Sequence, residues 1–285
     1  MDIKGKWNKN QYKLIKLIGS GNFGKVYKIL DSKGEVKAIK ISEDILSITN
    51  EYNGMKKLKD IRFIPKTYDF DDWEFRGKTY HFIIMDYING KNLKEIYRYK
   101  DIDSKTIFKI GLVLMHILEK IDRLGYKYTD IKLENIIIDK MGNMYFVDFG
   151  SIVEKSKPTK EYTPNYNINS WNVKFDYNHE VGILFSVTMI IITLLGKKEY
   201  NPLLYDLDQI IDKVNKFPID RRKRQFLIKG LMGKYRNSNE YSNSLSLLLE
   251  GKKYYNSLSK IDYLLIMSIV SFVFVIIVGI RSILS

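Results

Sequence analysis

The sequence Tyr128-Thr129-Asp130-Ile131-Lys132-Leu133-Glu134-Asn135, followed by Asp148-Phe149-Gly150, decides the fold of this chain. It places a carboxylate, a lysine, an asparagine and a second carboxylate at a spacing that suits phosphoryl transfer. Asp130 can accept a proton from an attacking hydroxyl group. Asn135 and Asp148 can hold the metal ions that neutralise the phosphates of a nucleotide, so the stretch predicts an ATP-dependent active site.

A glycine-rich segment near the N-terminus predicts the phosphate-binding part of this site. Gly19-Ser20-Gly21-Asn22-Phe23-Gly24-Lys25-Val26 follows a strand-like stretch, residues 13–18. Glycines let the backbone close over phosphates and offer them N–H groups, and Phe23 at the tip could exclude water. Strand-like residues follow the glycines, not an amphipathic helix. This favours a hairpin over the phosphates and argues against a dinucleotide-binding turn.

The next strand predicts an ion pair between a lysine and a glutamate. Within residues 35–41, alternation places Val36, Ala38 and Lys40 on one face. Val36 and Ala38 could pack on an adenine ring, and Lys40 could reach the α- and β-phosphates. Glu51, on a helix predicted for residues 47–59, is the carboxylate expected to hold Lys40, whereas Glu43 is expected to be solvated.

The apolar stretch from His81 to Gly90 predicts a strand that ends in a hinge. Met85 is expected to line the back of an adenine pocket, and the backbone of residues 86–88 to hydrogen-bond the base edge. The residues predicted to line the nucleotide site are Gly19, Ser20, Gly21, Asn22, Phe23, Gly24, Val26, Ala38, Lys40, Met85, Asp86 and Ile88.

Together these motifs resemble the protein kinases, in their eukaryotic-like bacterial Ser/Thr form, from Tyr12 to about Leu249. The resemblance implies a two-lobed α+β fold, with a β-rich lobe and hinge at residues 1–88 and a helical lobe at residues 89–250. It implies ATP with Mg²⁺ or Mn²⁺ and protein substrates. Lys132, two residues after the catalytic aspartate, favours transfer to Ser or Thr, and Thr163 is expected to bond Asp130 and Lys132.

Three positions depart from the family pattern. Thr129 stands where regulated kinases usually have an arginine that binds phosphate on the activation segment. We therefore expect that phosphorylation of that segment, at Ser156, Thr159 or Thr163, is not the essential on-switch. Asn169-Ser170 stands where the family has a Pro-Glu pair whose glutamate binds a buried arginine. Arg236 takes the place of that arginine, with Glu161 or Glu180 as its candidate partner. Asp176 is the candidate for an aspartate that braces the catalytic loop.

Two apolar runs are predicted to form helices in different environments. Residues 181–195 are too short to span a bilayer comfortably and predict a buried core helix. Residues 263–280 contain no charge and no proline, and as a helix they would reach about 27 Å. We predict a transmembrane helix there, with a basic juxtamembrane linker at residues 251–262, a short external tail at residues 281–285 and a cytoplasmic kinase domain.

The absence of cysteine fits a reducing compartment.

The formal net charge of +14 includes one concentrated basic segment. Arg221, Arg222, Lys223 and Arg224 begin a run without acidic residues that extends to Asn239. This basic patch could be a solvated helix face, could attract anionic lipid, or could contact the phosphates of DNA without reading its sequence.

These observations favour an active, membrane-tethered Ser/Thr kinase over two alternatives. A small-molecule or lipid phosphotransferase usually lacks the glycine loop and the Thr163-type segment. A pseudokinase scaffold is disfavoured because no catalytic group is missing. The overall architecture resembles tail-anchored kinases of spore-forming bacteria, which suggests a role in sporulation. The sequence leaves the oligomeric state open.

Overall fold

A computed structural model describes residues 1–21, 23–157 and 162–250 of the chain. Asn22, residues 158–161 and residues 251–285 lie outside the described residues. The predicted linker, transmembrane helix and tail therefore fall outside them too, as do Thr159 and Glu161. Residues Met1–Leu249 form one compact unit, which consists of a sheet-rich lobe and a helical lobe.

The smaller lobe is built on a six-stranded antiparallel sheet with the order β1-β2-β3-β4-β6-β5. Helix α1 connects β4 to β5 and packs on the sheet. The elements are β1 Asp2–Lys4, β2 Gln11–Gly21, β3 Gly24–Asp31, β4 Val36–Ser42, α1 Ile45–Lys57, β5 Thr67–Phe75 and β6 Lys78–Asp86. The glycine-rich segment thus forms the β2–β3 hairpin, as its sequence predicts.

Alternation along β4 assigns its side chains to two faces of this sheet. Ile39 and Ile41 are buried in a small core that also contains Ile29 and Phe82. Ala38 lies on the opposite face, where it joins the large core shared with the helical lobe. Because the side-chain period of a strand is two, Lys40 shares the face of Ala38 and is directed toward the other lobe.

The N-terminal segment between β1 and β2 crosses to β5 and is fastened there by carboxylates. Asp71 accepts hydrogen bonds from the backbone N–H groups of Trp7 and Asn8, at 2.9 and 2.7 Å. Asp69 accepts from the hydroxyl group of Tyr12 at 2.6 Å, and the N–H of Lys6 donates to the carbonyl of Asp72 at 2.7 Å. These bonds hold β1 and β5, the two outermost strands, in a fixed relation.

The larger lobe combines helices with two small antiparallel sheets, β10-β9-β7 and β11-β8. Its elements are β7 Gly90–Asn92, α2 Leu93–Tyr99, α3 Ser104–Arg123, β8 Tyr126–Tyr128, β9 Ile136–Asp139, β10 Met144–Phe146, β11 Ile152–Glu154, α4 His179–Gly196, α5 Leu207–Asn215, α6 Arg221–Leu231 and α7 Ser238–Glu250. The loop that contains Asp130 connects β8 to β9, and pairing of β8 with β11 holds the beginning of that loop.

Helix α4 is the centre of the larger lobe. Among the described residues it alone has the length and composition that would allow a helix to cross a membrane, yet 67% of it is buried inside the protein. Every residue from Ile183 to Leu194 is buried, and the helix packs on α3 and α6. The prediction of a core helix for residues 181–195 is therefore confirmed.

Candidate active site

Lys40 and Glu51 form a buried ion pair between the sheet and α1. The side chain of Asp44 caps the beginning of α1, and the helix places Glu51 and Met55 on its buried face. Burial lowers the pKa of Lys40, but charge attraction to Glu51 and Asp148 outweighs that effect and raises the pKa. Lys40 therefore stays charged, as a phosphate-binding lysine must. Glu43, by contrast, is exposed and pairs with Lys78.

Asp130 is held between a hydroxyl group and an ammonium group. Its Oδ1 accepts a hydrogen bond of 2.6 Å from Oγ1 of Thr163, and its Oδ2 is paired with Nζ of Lys132. The aspartate is buried, and its backbone N–H donates to Oγ of Ser151 at 3.4 Å. The structure thus brings together the three residues that the sequence assigned to the reacting hydroxyl group.

Asn135 and Asp148, the predicted metal ligands, converge on the same region. Nδ2 of Asn135 donates to the carbonyl of Asp130 at 3.1 Å, so the amide oxygen is the atom that a cation would use. Oδ1 of Asp148 lies 3.7 Å from Nζ of Lys40, and its side chain is 37% exposed. The backbone of Asp148 has φ 68°, in the left-handed region, which is costly for a non-glycine residue.

The hydroxyl group of Tyr128 accounts for how Asp148 is held in this conformation. It donates to the carbonyls of Val147 and Asp148, at 3.0 and 3.1 Å. Burial, together with the charges of Asp148 and Asp130, raises the pKa of Tyr128 well above its ordinary value, so the hydroxyl group stays protonated. The sequence analysis gave no role to this hydroxyl group, so its contact with the metal-binding turn is a feature that sequence reasoning missed.

The residues predicted to line a nucleotide surround these groups on one side. Gly19, Ser20 and Gly21 lie in β2, and a methyl group added at Gly21 would meet nothing within 4 Å, so the backbone there is open. Phe23, in the turn between β2 and β3, is 38% exposed. Val26 packs against the large core.

The strands behind the glycine hairpin supply the rest of the expected adenine pocket. Ala38 and Met85 are buried neighbours across β4 and β6, and Val36, at the beginning of β4, is 42% exposed. The N–H of Asp86 donates to the carbonyl of Lys66 at 3.0 Å. Any contact from Asp86 to a base would therefore come from its carbonyl, and the hinge continues through Ile88.

This donor set fits a magnesium nucleotide. One carboxylate and one amide oxygen, with room for phosphates and water, are the ligands that Mg²⁺ takes when it binds nucleotides. Lys40 is charged and fixed, and β2 offers open backbone next to it. When bound, ATP with its metal supplies the phosphoryl group, and the side chains around it supply position and charge.

Thr129 links the catalytic loop directly to the segment that follows Gly150. Its backbone N–H and its Oγ1 both donate to the carbonyl of Ser151, at 3.3 and 3.0 Å. Ser156 lies in the described part of the activation segment and is exposed.

Two family-based expectations are wrong. Asp176 is exposed and takes no part in holding the catalytic loop, because Asn178 caps α4 instead and accepts from the N–H of Val181 at 2.9 Å. Arg236 is exposed, not buried. Glu180 does not pair with it, because it accepts from the N–H of Ser238 at 2.7 Å.

The predicted basic patch divides into two halves at the beginning of α6. Arg221 and Arg222 are exposed. Lys223 pairs with Asp220 at 3.2 Å and lies over the ring of Phe108, and Arg224 donates to the carbonyl of Asn215 at 2.9 Å. Lys223 and Arg224 therefore help to fix the helix, whereas Arg221 and Arg222 form the exposed half of the patch.

Comparison with known proteins agrees with this geometry. Residues 12–250 match the model of the protein kinase domain. The chain is 29% identical over 249 residues to the serine/threonine-protein kinase YabT of Bacillus subtilis, a match that covers 85% of this chain and 73% of that protein. It is also 29% identical to the dual specificity protein kinase zakA of Dictyostelium discoideum and 32% identical to the serine/threonine-protein kinase KIC1 of Saccharomyces cerevisiae. Those matches cover 54% and 49% of this chain but only 21% and 13% of those longer proteins.

The chain belongs to the protein kinase family. It is a Ser/Thr protein kinase of bacterial type that resembles YabT, and its β-rich and helical lobes are those of the kinase domain. The prediction of a two-lobed α+β kinase fold from sequence is confirmed.

Proposed function

We propose that this kinase transfers the γ-phosphoryl group of ATP to protein hydroxyl groups, including its own, with Asp130 as the base. The observation that carries the proposal is the position of the Asp130 carboxylate between Thr163 and Lys132. Thr163 belongs to the segment where a substrate chain would lie. A substrate hydroxyl group that displaces the Thr163 hydroxyl would therefore meet a carboxylate already aligned to accept its proton.

The other charged residues act on the phosphates and the metal. Lys40, fixed by Glu51, would bind the α- and β-phosphates, and Asn135 with Asp148 would hold Mg²⁺ or Mn²⁺. Lys132 would neutralise charge that develops during transfer. Because contacts within the protein hold Lys40, Lys132 and Asn135, little reorganisation is needed at the moment of reaction.

Transfer of labelled phosphate by the full chain to a generic protein and to itself tests the assignment. Asp130→Asn should lower kcat by about 10²–10⁴-fold, the usual contribution of a general base. Asp60→Asn is the matched control, since Asp60 is exposed and lies outside the site. Full activity of Asp130→Asn would refute the role of Asp130, and no transfer by the unaltered chain under any condition would favour the scaffold alternative.

We also propose that residues 263–280 tether the kinase to the cell membrane, with the kinase domain in the cytoplasm. The support is the sequence, in which Lys252, Lys253 and Lys260 precede the apolar run and Arg281 follows it. Resistance of the full chain to alkaline extraction from membranes, and release by deletion of residues 263–285, would support the proposal. Release of the full chain by alkali would contradict it.

Activation is proposed to depend on location and polyanion contact more than on a phosphorylated activation segment. The support is the Thr129–Ser151 contact, which takes a place where the family commonly binds phosphate. Ser156→Ala with Thr159→Ala should therefore retain activity. Loss of activity in the folded double variant would overturn this part of the proposal.

The exposed half of the basic patch is the candidate for polyanion contact. Replacement of Arg221 and Arg222 by glutamine should weaken binding to duplex DNA or to anionic vesicles and reduce the salt slope for DNA by about 2. Lys33 and Lys59, two exposed lysines elsewhere, provide the control pair. Parallel titration with DNA and with vesicles identifies the polyanion, and equal effects of the two pairs would exclude a specific patch.

A further inference from the structure

A cavity of about 230 Å³ lies between the catalytic loop and the beginning of α4. Thr129 and Ile131, the two neighbours of Asp130, line one side of it, and His179 and Gly182 line the other. Its volume is several times the roughly 30 Å³ that one water molecule takes, so a small ion fits inside. None of the residues assigned to ATP or its metal is among those that line it, so the cavity is separate from the nucleotide site.

The family pattern led us to expect a carboxylate here, supplied by Asp176 as a brace for the catalytic loop. Asp176 is exposed instead, and no acidic residue of the described ranges lines the cavity. Apart from hydroxyl groups, the polar lining consists of amides, a lysine and a histidine, namely Asn167, Asn169, Asn178, Lys127 and His179. These side chains offer N–H donors to an anion that comes from outside the chain.

Lys127 brings a positive charge to the cavity. It lies in β8, three residues before Asp130, and its side chain is partly buried. Within the part of the chain that the structure describes, Lys127 makes no ion pair and no side-chain hydrogen bond. A charge that is partly removed from water without a partner is unfavourable, and an anion in the cavity would supply the partner.

His179 is the second cationic group at the cavity. Burial lowers the pKa of His179, and the positive charges of Lys127 and Lys155 lower it further. Asp122 and Glu180 oppose this shift, but Asp122 is paired with Lys155 at 2.7 Å, and Glu180 accepts from a backbone N–H of α7 at 2.7 Å. An anion between Lys127 and His179 would offset the lysine charges and favour the protonated ring, which donates from both nitrogens.

We propose that this cavity binds a small oxyanion, a phosphate or a carboxylate, between Lys127 and His179. The bound anion connects the loop that carries Asp130 to α4, and so acts as the brace that Asp176 does not provide. It is an activating ligand, because the rate of transfer depends on how accurately Asp130 is positioned. The effect on rate rests on the proposed function, whereas binding of the anion does not depend on it.

Titration of the full chain with inorganic phosphate, at constant ionic strength, tests the site. Broadening of the phosphorus NMR resonance of phosphate reports binding without any phosphoryl transfer. We expect a Kd of about 1 mM, because two charge-assisted hydrogen bonds support only weak binding. Lys127→Met and His179→Gln should each raise this Kd about tenfold, the usual effect of one hydrogen bond to a charged group. Lys109→Met, at an exposed lysine of α3 outside the cavity, is the matched control and should leave Kd unchanged.

Steady-state kinetics then measures the effect on rate. Saturating phosphate should raise kcat about fivefold and leave KM for ATP unchanged, a small part of the about 10²-fold that misplacement by 1 Å can cost. Malonate in place of phosphate shows whether the cavity prefers a phosphate or a carboxylate.

A carboxylate built into the cavity separates a ligand effect from a structural one. Asn167→Asp keeps the shape of the side chain and the acceptor oxygen that receives the N–H of Asn169 at 3.0 Å. This variant should show the raised kcat without phosphate and should not respond to added phosphate. A role of the cavity in folding alone would give no such replacement of the ligand.

Phosphate binding that neither Lys127→Met nor His179→Gln weakens would place the anion elsewhere and overturn the proposal. So would an unbroadened resonance at phosphate concentrations well above 1 mM. Binding that both variants weaken, with a kcat that phosphate does not change, would refute the activating role. No phosphoryl transfer while phosphate binds as expected would count against the proposed function alone. If Lys127→Met does not fold, as judged by circular dichroism, His179→Gln at its exposed position is held to the same outcomes.

Discussion

Gly54 offers a strict test of how α1 controls the active site. It lies inside the helix, three residues after Glu51, and its backbone packs against the carbonyl of Phe149. The backbone of Phe149 also favours the charged form of Glu51, which opposes the rise in the pKa of Glu51 that burial causes. The helix therefore contacts the metal-binding turn at two points one turn apart, and a change at Gly54 should be transmitted to the Lys40–Glu51 pair.

The perturbation is Gly54→Ala, and its size follows from the structure. The new methyl carbon would lie 2.7 Å from the carbonyl oxygen of Phe149, whereas such a contact needs roughly 3.3 Å. The helix and the turn must therefore separate by about 0.6 Å. Alanine gains about 1 kcal/mol over glycine in a helix, and overpacking costs about 1–3 kcal/mol, so the net loss of stability should be small, at about 0–2 kcal/mol.

Activity should also fall. A displacement of 1 Å at a reacting geometry can cost about 10²-fold, so a shift of about half that size should lower kcat/KM for ATP by about tenfold or more. The assay is steady-state kinetics with a parallel thermal unfolding curve. Asn53→Ala, at an exposed position on the same helix, should leave kcat/KM unchanged. Normal kinetics for Gly54→Ala would show that α1 does not transmit the strain.

Three further outcomes are expected. Tyr128→Phe leaves two carbonyls without their donor, which should cost about 1–3 kcal/mol of stability. It should also raise the Mg²⁺ concentration needed for the half-maximal rate, measured by metal titration. An unchanged Mg²⁺ requirement would contradict the role of the hydroxyl group. Thr163→Val should lower kcat, whereas Thr163→Ser should retain it, in the same kinetic assay. Burial raises the pKa of Asp72, but hydrogen bonds from Trp7 and His81 outweigh burial and lower the pKa below its ordinary value. The charged form of Asp72 therefore contributes to stability above about pH 4, and this contribution is lost as the pH falls further. Asp72→Asn should therefore show a shallower loss of stability between about pH 5 and 3 in acid unfolding, and an unchanged slope would argue against this contribution.

The parts of the site that sequence predicted are those set by local periodicity. Strand alternation placed Ala38 and Lys40 on one face, and helical spacing placed Glu51 on the buried face of α1. The structure places these residues as those periods require. A different signal, the length of the apolar run, identified α4 as a core helix, because residues 181–195 are too few to span a bilayer comfortably.

The parts that sequence missed depend on contacts between distant residues. The hydroxyl group of Tyr128 bonds backbone carbonyls 19 and 20 residues away, and no side-chain pattern encodes such partners. Lys127 and His179 line one cavity although they belong to distant elements, β8 and α4. Asp176 does not hold the catalytic loop, contrary to expectation. Asn178, two residues later, caps α4 instead, and the local hydrogen bond to the N–H of Val181 fixes where the helix begins.

The N-terminal segment that joins β1 to β5 has a consequence for self-association. An open antiparallel sheet presents unpaired N–H and carbonyl groups along its outermost strands, and these can pair with another chain. Here Asp69 and Asp71 hold residues 5–10 across one such strand, so a second molecule would first have to remove that segment. A shortened chain that begins at Gln11 would expose that edge, and a tag fused before Met1 would lie next to it.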